Sequence, residues 1–505
     1  IVVEREEKIR AFRPTDYWEL EARFGCQAGQ YAGRWFDEGF RKPEEGTPLA
    51  EHASAYRLWD KARAEAIRAR CAGQPGTVEE ESKPSTQLSP LLFDLTSLQR
   101  EANGRFGFSA RTTLQLAQAL YEKHKVLTYP RTDARALPED YVGQVKGILG
   151  GLPDVYAPFA NEIVKHGWAK PNKRIFNNAK ISDHFAIIPT GVVPKSLSEP
   201  EQKLYDLVMK RFLAIFYPAA EFNITTRITR VESEAFKTEG KVLVNAGWLA
   251  VYGKEAVVAD EDGAKGEASS ASLVPVKQGE NARVNDMIVK ALQTKPPARY
   301  SEATLLSAME GAGKLIDDDE LREAMAEKGL GTPATRAAII EGLILEKYMH
   351  REGRELVPSA KAFQLMTLLR GLGVEDLTKP ELTGNWEYQL AEMEKGRLQR
   401  EAFMAEIAAM AERIVRKAKE YDRDTIPGDY ATLKVRCPKC GGVIKENYRR
   451  FACAGKSGTD EGCGFSISKI PGGRSFELDE VEQFIAQKKI GPLEGFRSKA
   501  GWPFV

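Results

Sequence analysis

In Val126-Leu-Thr-Tyr-Pro-Arg-Thr-Asp133 a proline follows a tyrosine, and an arginine follows the proline. Pro130 biases its predecessor away from helix, so Tyr129 is expected on an extended or turn segment. On such a segment Tyr129 and Arg131, two apart, lean to the same side. A phenol is a weak nucleophile unless a cation stabilises the developing phenolate and the group under attack. The planar fork of Arg131 suits that task, because it can grip two phosphate oxygens at once. A plainer reading of the same residues is a half-buried strand aromatic beside a surface charge.

Outward from this stretch, the context favours chemistry. From Asp94 to Arg135 there are seven Lys or Arg against four Asp or Glu. Ser109 is placed to cap a helix on which Leu114, Ala117, Leu120 and Tyr121 recur at helical spacing, and this helix runs into the tyrosine segment. His184 lies in Ser182-Asp-His-Phe-Ala-Ile-Ile-Pro-Thr190, just before an apolar run. Such a histidine can donate to a phosphate or relay a proton, or it can be a packed, hydrogen-bonded residue.

Strand-like alternation occurs at Tyr17 to Phe24, at Phe222 to Ile228 and from Lys241 to Tyr252. Ala72 to Pro90, rich in Gly, Pro, Ser and Glu, reads as a linker, and Asp260 to Ser272 as a mobile loop. From Tyr300 to Ala418 the pattern is helical. A helix over Asp319 to Glu327, a Gly329-Leu-Gly331 turn, and a second helix capped by Thr332 with Pro333 in its first turn are predicted. Arg336 would project from that second helix, and Met349 to Pro358 would return as a β wing, a nucleic-acid-binding arrangement also found in plain bundles.

These signals divide the chain into a strand-rich arch starting in 1–80, an inserted helical domain over 81–216 and the return of the arch over 217–293. A helical DNA-binding domain over 294–425, a zinc ribbon over 430–470 and a tail over 471–505 follow. The fold class is multidomain α+β. With 505 residues, 42% hydrophobic and 29% charged, the composition is that of ordinary globular domains, with no apolar run long enough for a membrane span. The net charge of +1 requires any nucleic-acid affinity to come from local patches.

Cys26 and Cys71 stand alone, read as inert thiols, while Cys437, Cys440, Cys453 and Cys463 cluster. The Cys-x2-Cys start, then twelve and nine intervening residues, suits four thiolates around tetrahedral Zn²⁺ in a reducing cytoplasm. Phe451 and Phe465 beside the ligands either stack on bases or fill the ribbon's core.

The strings DLTSLQREANGRFGFSARTTLQLAQALYE, LTYPRTDARALPEDY, DHFAIIPTG, GLGTPATRAAIIEGLI and LTKPELTGNWEYQL occur in this order. Together they resemble the type IA DNA topoisomerases, with the topoisomerase III subgroup nearest. The resemblance implies a toroidal core in which the arch lets the inserted tyrosine domain lift as a gate. It implies that Tyr129 forms a 5′-phosphotyrosyl link to single-stranded DNA, that Arg131 holds the scissile phosphate and that His184 assists. Thr335 and Arg336 match the region lining the DNA groove. ATP-independent strand breakage, passage and rejoining follow, in a monomer acting in the cytoplasm on nucleoid or plasmid DNA.

The family also carries a Toprim domain with an Asp-x-Asp-x-Glu motif that binds Mg²⁺. The Asp-x-Asp pairs beginning at Asp260, Asp317 and Asp422 have Ala264, Leu321 and Ile426 at the fifth position. The chain is therefore expected to be a fragment whose Mg²⁺ site lies elsewhere, inactive alone. The competing expectation is a non-catalytic single-stranded-DNA-binding module with a zinc ribbon. A tyrosine recombinase is disfavoured, since its Arg-His-Arg constellation has no counterpart.

Overall fold

The computed structural model describes residues 1–505 except 45–49, 154, 254–272, 278, 317, 326–328, 421–430, 448, 459–461 and 499–501. The expected loop over 260–272 therefore lies outside the described residues, as do the first residues of all three Asp-x-Asp pairs.

Helix α1 (Val2–Ala11) opens the chain. Strands β1 (Asp16–Cys26), β2 (Gly29–Phe36), β3 (Pro75–Gln87), β4 (Ala220–Val231), β5 (Glu234–Asn245) and β6 (Asn281–Gln293) close into an antiparallel barrel, in the order β1-β2-β5-β4-β3-β6. Alternation builds its core: Leu20, Ala22 and Phe24 of β1 turn inward against Trp35, Phe236 and Val284. Helix α2 (Lys61–Cys71) adds Ile67 to the same core.

The stretch Ala72 to Pro90 is thus no linker, since most of it is β3, paired with β4 from Gly76 to Gln87. Beyond Thr77 its described partner is β4 alone, and most residues from Glu79 onward are at least partly exposed, so no apolar alternation marks it. A strand with one free edge also tolerates Pro84, which lacks an N–H. The inserted domain accordingly begins after Gln87, later than the expected boundary at 81. The expected strand to Tyr252 ends at Asn245.

Between β3 and β4 the chain forms a helical lobe of α3 (Leu95–Phe106), α4 (Ala110–Glu122), α5 (Val142–Gly150), α6 (Ala157–Lys165) and α7 (Glu199–Ala214). After β5, the short α8 (Leu249–Tyr252) returns to this lobe, packing Trp248, Val251 and Tyr252 with Leu98, Leu120, Ile188 and Phe212. Chain entry and exit through two paired strands make β3 and β4 the neck of the insertion.

The distal lobe contains α9 (Glu302–Glu310), α10 (Asp319–Met325), α11 (Pro333–Leu345), the hairpin β7 (Met349–Glu352) and β8 (Glu355–Pro358), then α12 (Ala360–Gly371), α13 (Pro380–Glu394) and α14 (Arg400–Glu420). The expected helix, turn, helix and wing are present. Gly329 has φ +67, and a Cβ there would lie 2.5 Å from the carbonyl oxygens of Met309 and Glu310, so the turn requires glycine. Helix α1 joins this lobe instead of the arch: Ile1 and Val2 pack on its core, and Glu6 accepts from Arg299 Nε and Nη2 at 2.8 and 3.0 Å. Pairings across most of the chain's length leave no local trace in sequence.

At the end of the chain β9 (Thr432–Arg436), β10 (Val443–Glu446), β11 (Arg450–Cys453) and β12 (Ser466–Ser468) form a small sheet. Helix α15 (Leu478–Gln487) places Val481 and Ile485 in the sheet's core, and β13 (Phe496–Arg497) pairs with β14 (Pro503–Phe504). The expected division at 470 cuts through this shared core. Phe451 is buried at its centre and Phe465 packs against it, so both serve the core. Among the described residues, no helix is long and apolar enough to cross a membrane.

Candidate active site

Helix α4 begins where Ser109 Oγ accepts from Thr112 N at 3.0 Å. Its Ala117 and Leu120 are buried, and Lys125, with φ +59, turns the chain out of it. The following segment runs antiparallel to the one that carries His184. Thr128 N donates to Ile188 O at 2.9 Å and Thr190 N to Val126 O at 3.0 Å. Thr128 Oγ1 donates to Ala186 O at 3.0 Å and accepts from Ile188 N at 2.9 Å. Thr132 Oγ1 donates to His184 O at 2.8 Å. Side-chain hydroxyls therefore do much of the work of a regular ladder, and Tyr129 lies outside any helix, in keeping with the bias of Pro130.

The result brings Tyr129 and His184 together, with Arg131 two residues further along the same segment. The rings of Tyr129 and His184 lie 4.3 Å apart between centroids at 47°. Tyr121, from the last turn of α4, meets Tyr129 edge-on at 5.5 Å and 79°. Tyr129 is partly exposed, and Arg131 and His184 are exposed, so all three are open to a polymeric substrate. A partly exposed phenol, an imidazole and a guanidinium form a set able to attack and hold a phosphodiester.

Gln118 is the residue that sequence reasoning missed. With its amide oriented to satisfy both groups, Gln118 Oε1 accepts from Arg131 Nε at 3.2 Å and Nη2 at 2.9 Å. A neutral acceptor orients the guanidinium without neutralising its charge, leaving other N–H groups for an anion. Its spacing of three from Tyr121 on one helix was the available signal.

Thr335 and Arg336 lie on α11 of the distal lobe, and only Thr335 is exposed. Thr335 is exposed, but its hydroxyl accepts from Thr332 N at 2.9 Å and closes a capping box. Arg336 does not project: it is 2% exposed, donating to Thr96 Oγ1 at 2.9 Å and lying 3.8 Å from Glu310. Burial lowers the pKa of Arg336, against Glu310 and Asp94, while burial raises those of Asp94 and Glu310. The reason for the inward turn is that α11 packs against α3 and α4, so its first-turn arginine meets protein.

Cys437, Cys440, Cys453 and Cys463 converge, with all four sulfur atoms within 4.8 Å of one another. Such thiolates fit a tetrahedral soft metal, whose ~2.3 Å bonds need sulfurs within about 4 Å. Backbone N–H groups of Cys463 and Gly455 lower the Cys453 thiol to about 6, favouring a thiolate ligand. Gly442 is required there, since a Cβ would lie 2.7 Å from Gly455 O.

Comparison with known proteins follows this geometry. A family described as DNA topoisomerase matches residues 1–405, and one described as C-terminal repeat of topoisomerase matches residues 462–505. A Bacillus cereus protein called DNA topoisomerase 3 is 36% identical over 454 residues, covering 88% of this chain and 58% of its own length. Its Bacillus subtilis (strain 168) counterpart is 36% identical over 465 residues, covering 89% of this chain and 59% of its own. The chain thus spans a little under three fifths of these relatives. The structure of full-length topoisomerase I from Thermotoga maritima matches with TM-score 0.60 at 20% identity, over 95% of this chain and 69% of that one, which shows a shared fold. With a family match across the barrel, the tyrosine lobe and nearly all of the distal lobe, the chain belongs to the DNA topoisomerases, of the type IA, topoisomerase III-like kind.

Proposed function

We propose that this chain carries, in Tyr129, the nucleophile through which one strand of DNA is broken and rejoined. The observation that carries the reading is the open cluster of Tyr129 and His184, 4.3 Å between ring centroids, with Arg131 two residues on and held by Gln118. Tyr129 Oη attacks phosphorus, a P–O bond forms and the bond to the neighbouring 3′ oxygen breaks. The phenol proton leaves, the freed 3′ oxygen takes one up, and the 5′ phosphate remains on the tyrosine. One ester replaces another, so the bond energy is conserved and the reverse attack reseals the strand without ATP. Arg131 offsets the charge gathering on the phosphate, and His184 is placed to donate to it or carry the proton.

Single-stranded DNA is the substrate class, and a monomer acting in the cytoplasm suffices. The four-cysteine site takes Zn²⁺, which would fix the small terminal sheet. Family chemistry also implies Mg²⁺, which would order the strand for resealing. Among the described residues no other group of three or more His, Cys, Asp or Glu is placed to hold a metal.

The test is trapping of a covalent adduct between end-labelled single-stranded oligonucleotide and the protein, followed by mapping of the linked residue. A label on Tyr129 supports the reading. DNA binding without any adduct would favour a non-catalytic module instead.

A further inference from the structure

The inserted lobe and the distal lobe meet at two helix N-termini, and each lobe caps the other's helix. Glu302, the first residue of α9, accepts from Ala110 N, the first residue of α4, at 2.7 Å through Oε2. In return Asn103 Oδ1 at the end of α3 accepts from Ala303 N of α9 at 3.2 Å. Glu302 is 4% exposed, and its other oxygen accepts from Arg351 Nε of β7 at 2.7 Å, while Arg351 also pairs with Glu341 of α11. A buried carboxylate facing two positive helix ends and a guanidinium is well satisfied only while the lobes touch.

Apolar contact contributes little across this seam. In the core cluster of the distal lobe, which includes Leu305, Leu306, Met309, Ile340 and Leu356, Ala110 is the buried residue that the inserted lobe supplies. Beside the polar contacts runs a cleft of about 340 Å³, bordered by Ser109, Thr112, Arg351 and Arg354. A seam held by directional hydrogen bonds and penetrated by a cleft can part and reform, whereas a continuous apolar core would not.

We infer that Glu302 is the latch of this seam, a positioning residue that keeps the tyrosine lobe closed on the distal lobe through reciprocal capping with Asn103. The inference rests on the strand-breaking role of Tyr129 only for its purpose, since the latch is a property of the fold. Helix α4, which the latch caps, carries Gln118 and leads directly to Tyr129, so parting the seam moves the nucleophile with its lobe.

The test is amide hydrogen exchange on the full chain, read separately for the first turns of α4 and α9 and for β4 and β5 of the barrel. Glu302→Ala is expected to speed exchange at both first turns by about tenfold or more, with barrel rates unchanged. Asn103→Ala is expected to act at the same two turns, and the double variant to exceed the larger single effect only slightly. Glu302→Gln, which keeps shape and an acceptor but loses charge, should fall between. Unchanged exchange at the α4 first turn in Glu302→Ala, or an equal rise throughout the barrel, overturns the latch. Tyr129→Phe should leave the exchange pattern intact, so a failure of the strand-breaking role is separable from a failure of the latch.

Discussion

The imidazole of His184 lies against the phenol ring of Tyr129, with 4.3 Å between centroids, because Thr132 Oγ1 donates to the carbonyl of His184 at 2.8 Å and fixes the two segments in register. The His184 carbonyl and the Thr128 neighbour of Tyr129 are held by hydrogen bonds to backbone groups, so the two side chains remain available to a substrate. Removing the Tyr129 hydroxyl should therefore leave everything else in place.

Tyr129→Phe is expected to abolish adduct formation with single-stranded DNA while the dissociation constant changes less than about threefold, since only the attacking oxygen is removed. Oligonucleotide cleavage and fluorescence anisotropy on the same preparation check this. Measurable cleavage by the variant would remove Tyr129 from the reaction.

Arg131→Ala should lower the cleavage rate by on the order of a hundredfold, and Arg131→Lys by less, because a point charge replaces a fork. Gln118→Ala should reduce the rate by a smaller factor and leave the Arg131→Ala variant nearly unaffected, as expected of a residue acting through the guanidinium. Single-turnover rates of the four proteins decide it. Additive losses would show that Gln118 works independently.

Loss of Arg336 should destabilise the lobe seam in a pH-dependent way. Glu310 and the buried Asp94 already have raised pKa values, chiefly through burial, and Arg336 opposes that rise. Without the arginine their folded-state pKa values rise further. At low pH, below the unfolded carboxylate value near 4, both groups are protonated and the cation matters little. As pH rises through the folded values the carboxylates must ionise with one cation fewer, leaving Arg135 near both and Arg100 near Glu310. Arg336→Met should thus lie near the parent in stability at low pH and fall progressively below it as pH rises toward neutrality. Denaturant midpoints at the two pH values are the check, and a gap that shrinks with rising pH would contradict the assignment.

Metal removal should unfold the terminal sheet alone. Purified protein is expected to carry one zinc ion, and Cys437→Ser to lose it, with proteolytic cleavage appearing within the terminal sheet that starts at Thr432 while the barrel remains resistant. Metal analysis and limited proteolysis test this together. Zinc retained in full by the serine variant would show that these thiolates are not the ligands.

Several elements were legible from local sequence because their causes are local. Ser109 and Thr332 cap the helices that follow them, Pro130 keeps Tyr129 out of a helix, Gly329 permits a turn that no Cβ fits, and a Cys-x2-Cys knuckle needs only short spacing. Strand β3 escaped that reading, since a polar segment with one free edge has no apolar period to display. Helix α1 was assigned to the wrong lobe because its partner Arg299 is 293 residues away. Gln118, Glu302 and Arg336 look like surface residues of amphipathic helices in the sequence alone. Tertiary packing gave them their roles: when α4, α9 and α11 came together, each polar group had to find a partner as water was displaced, and those partners lie in other helices or in the tyrosine segment.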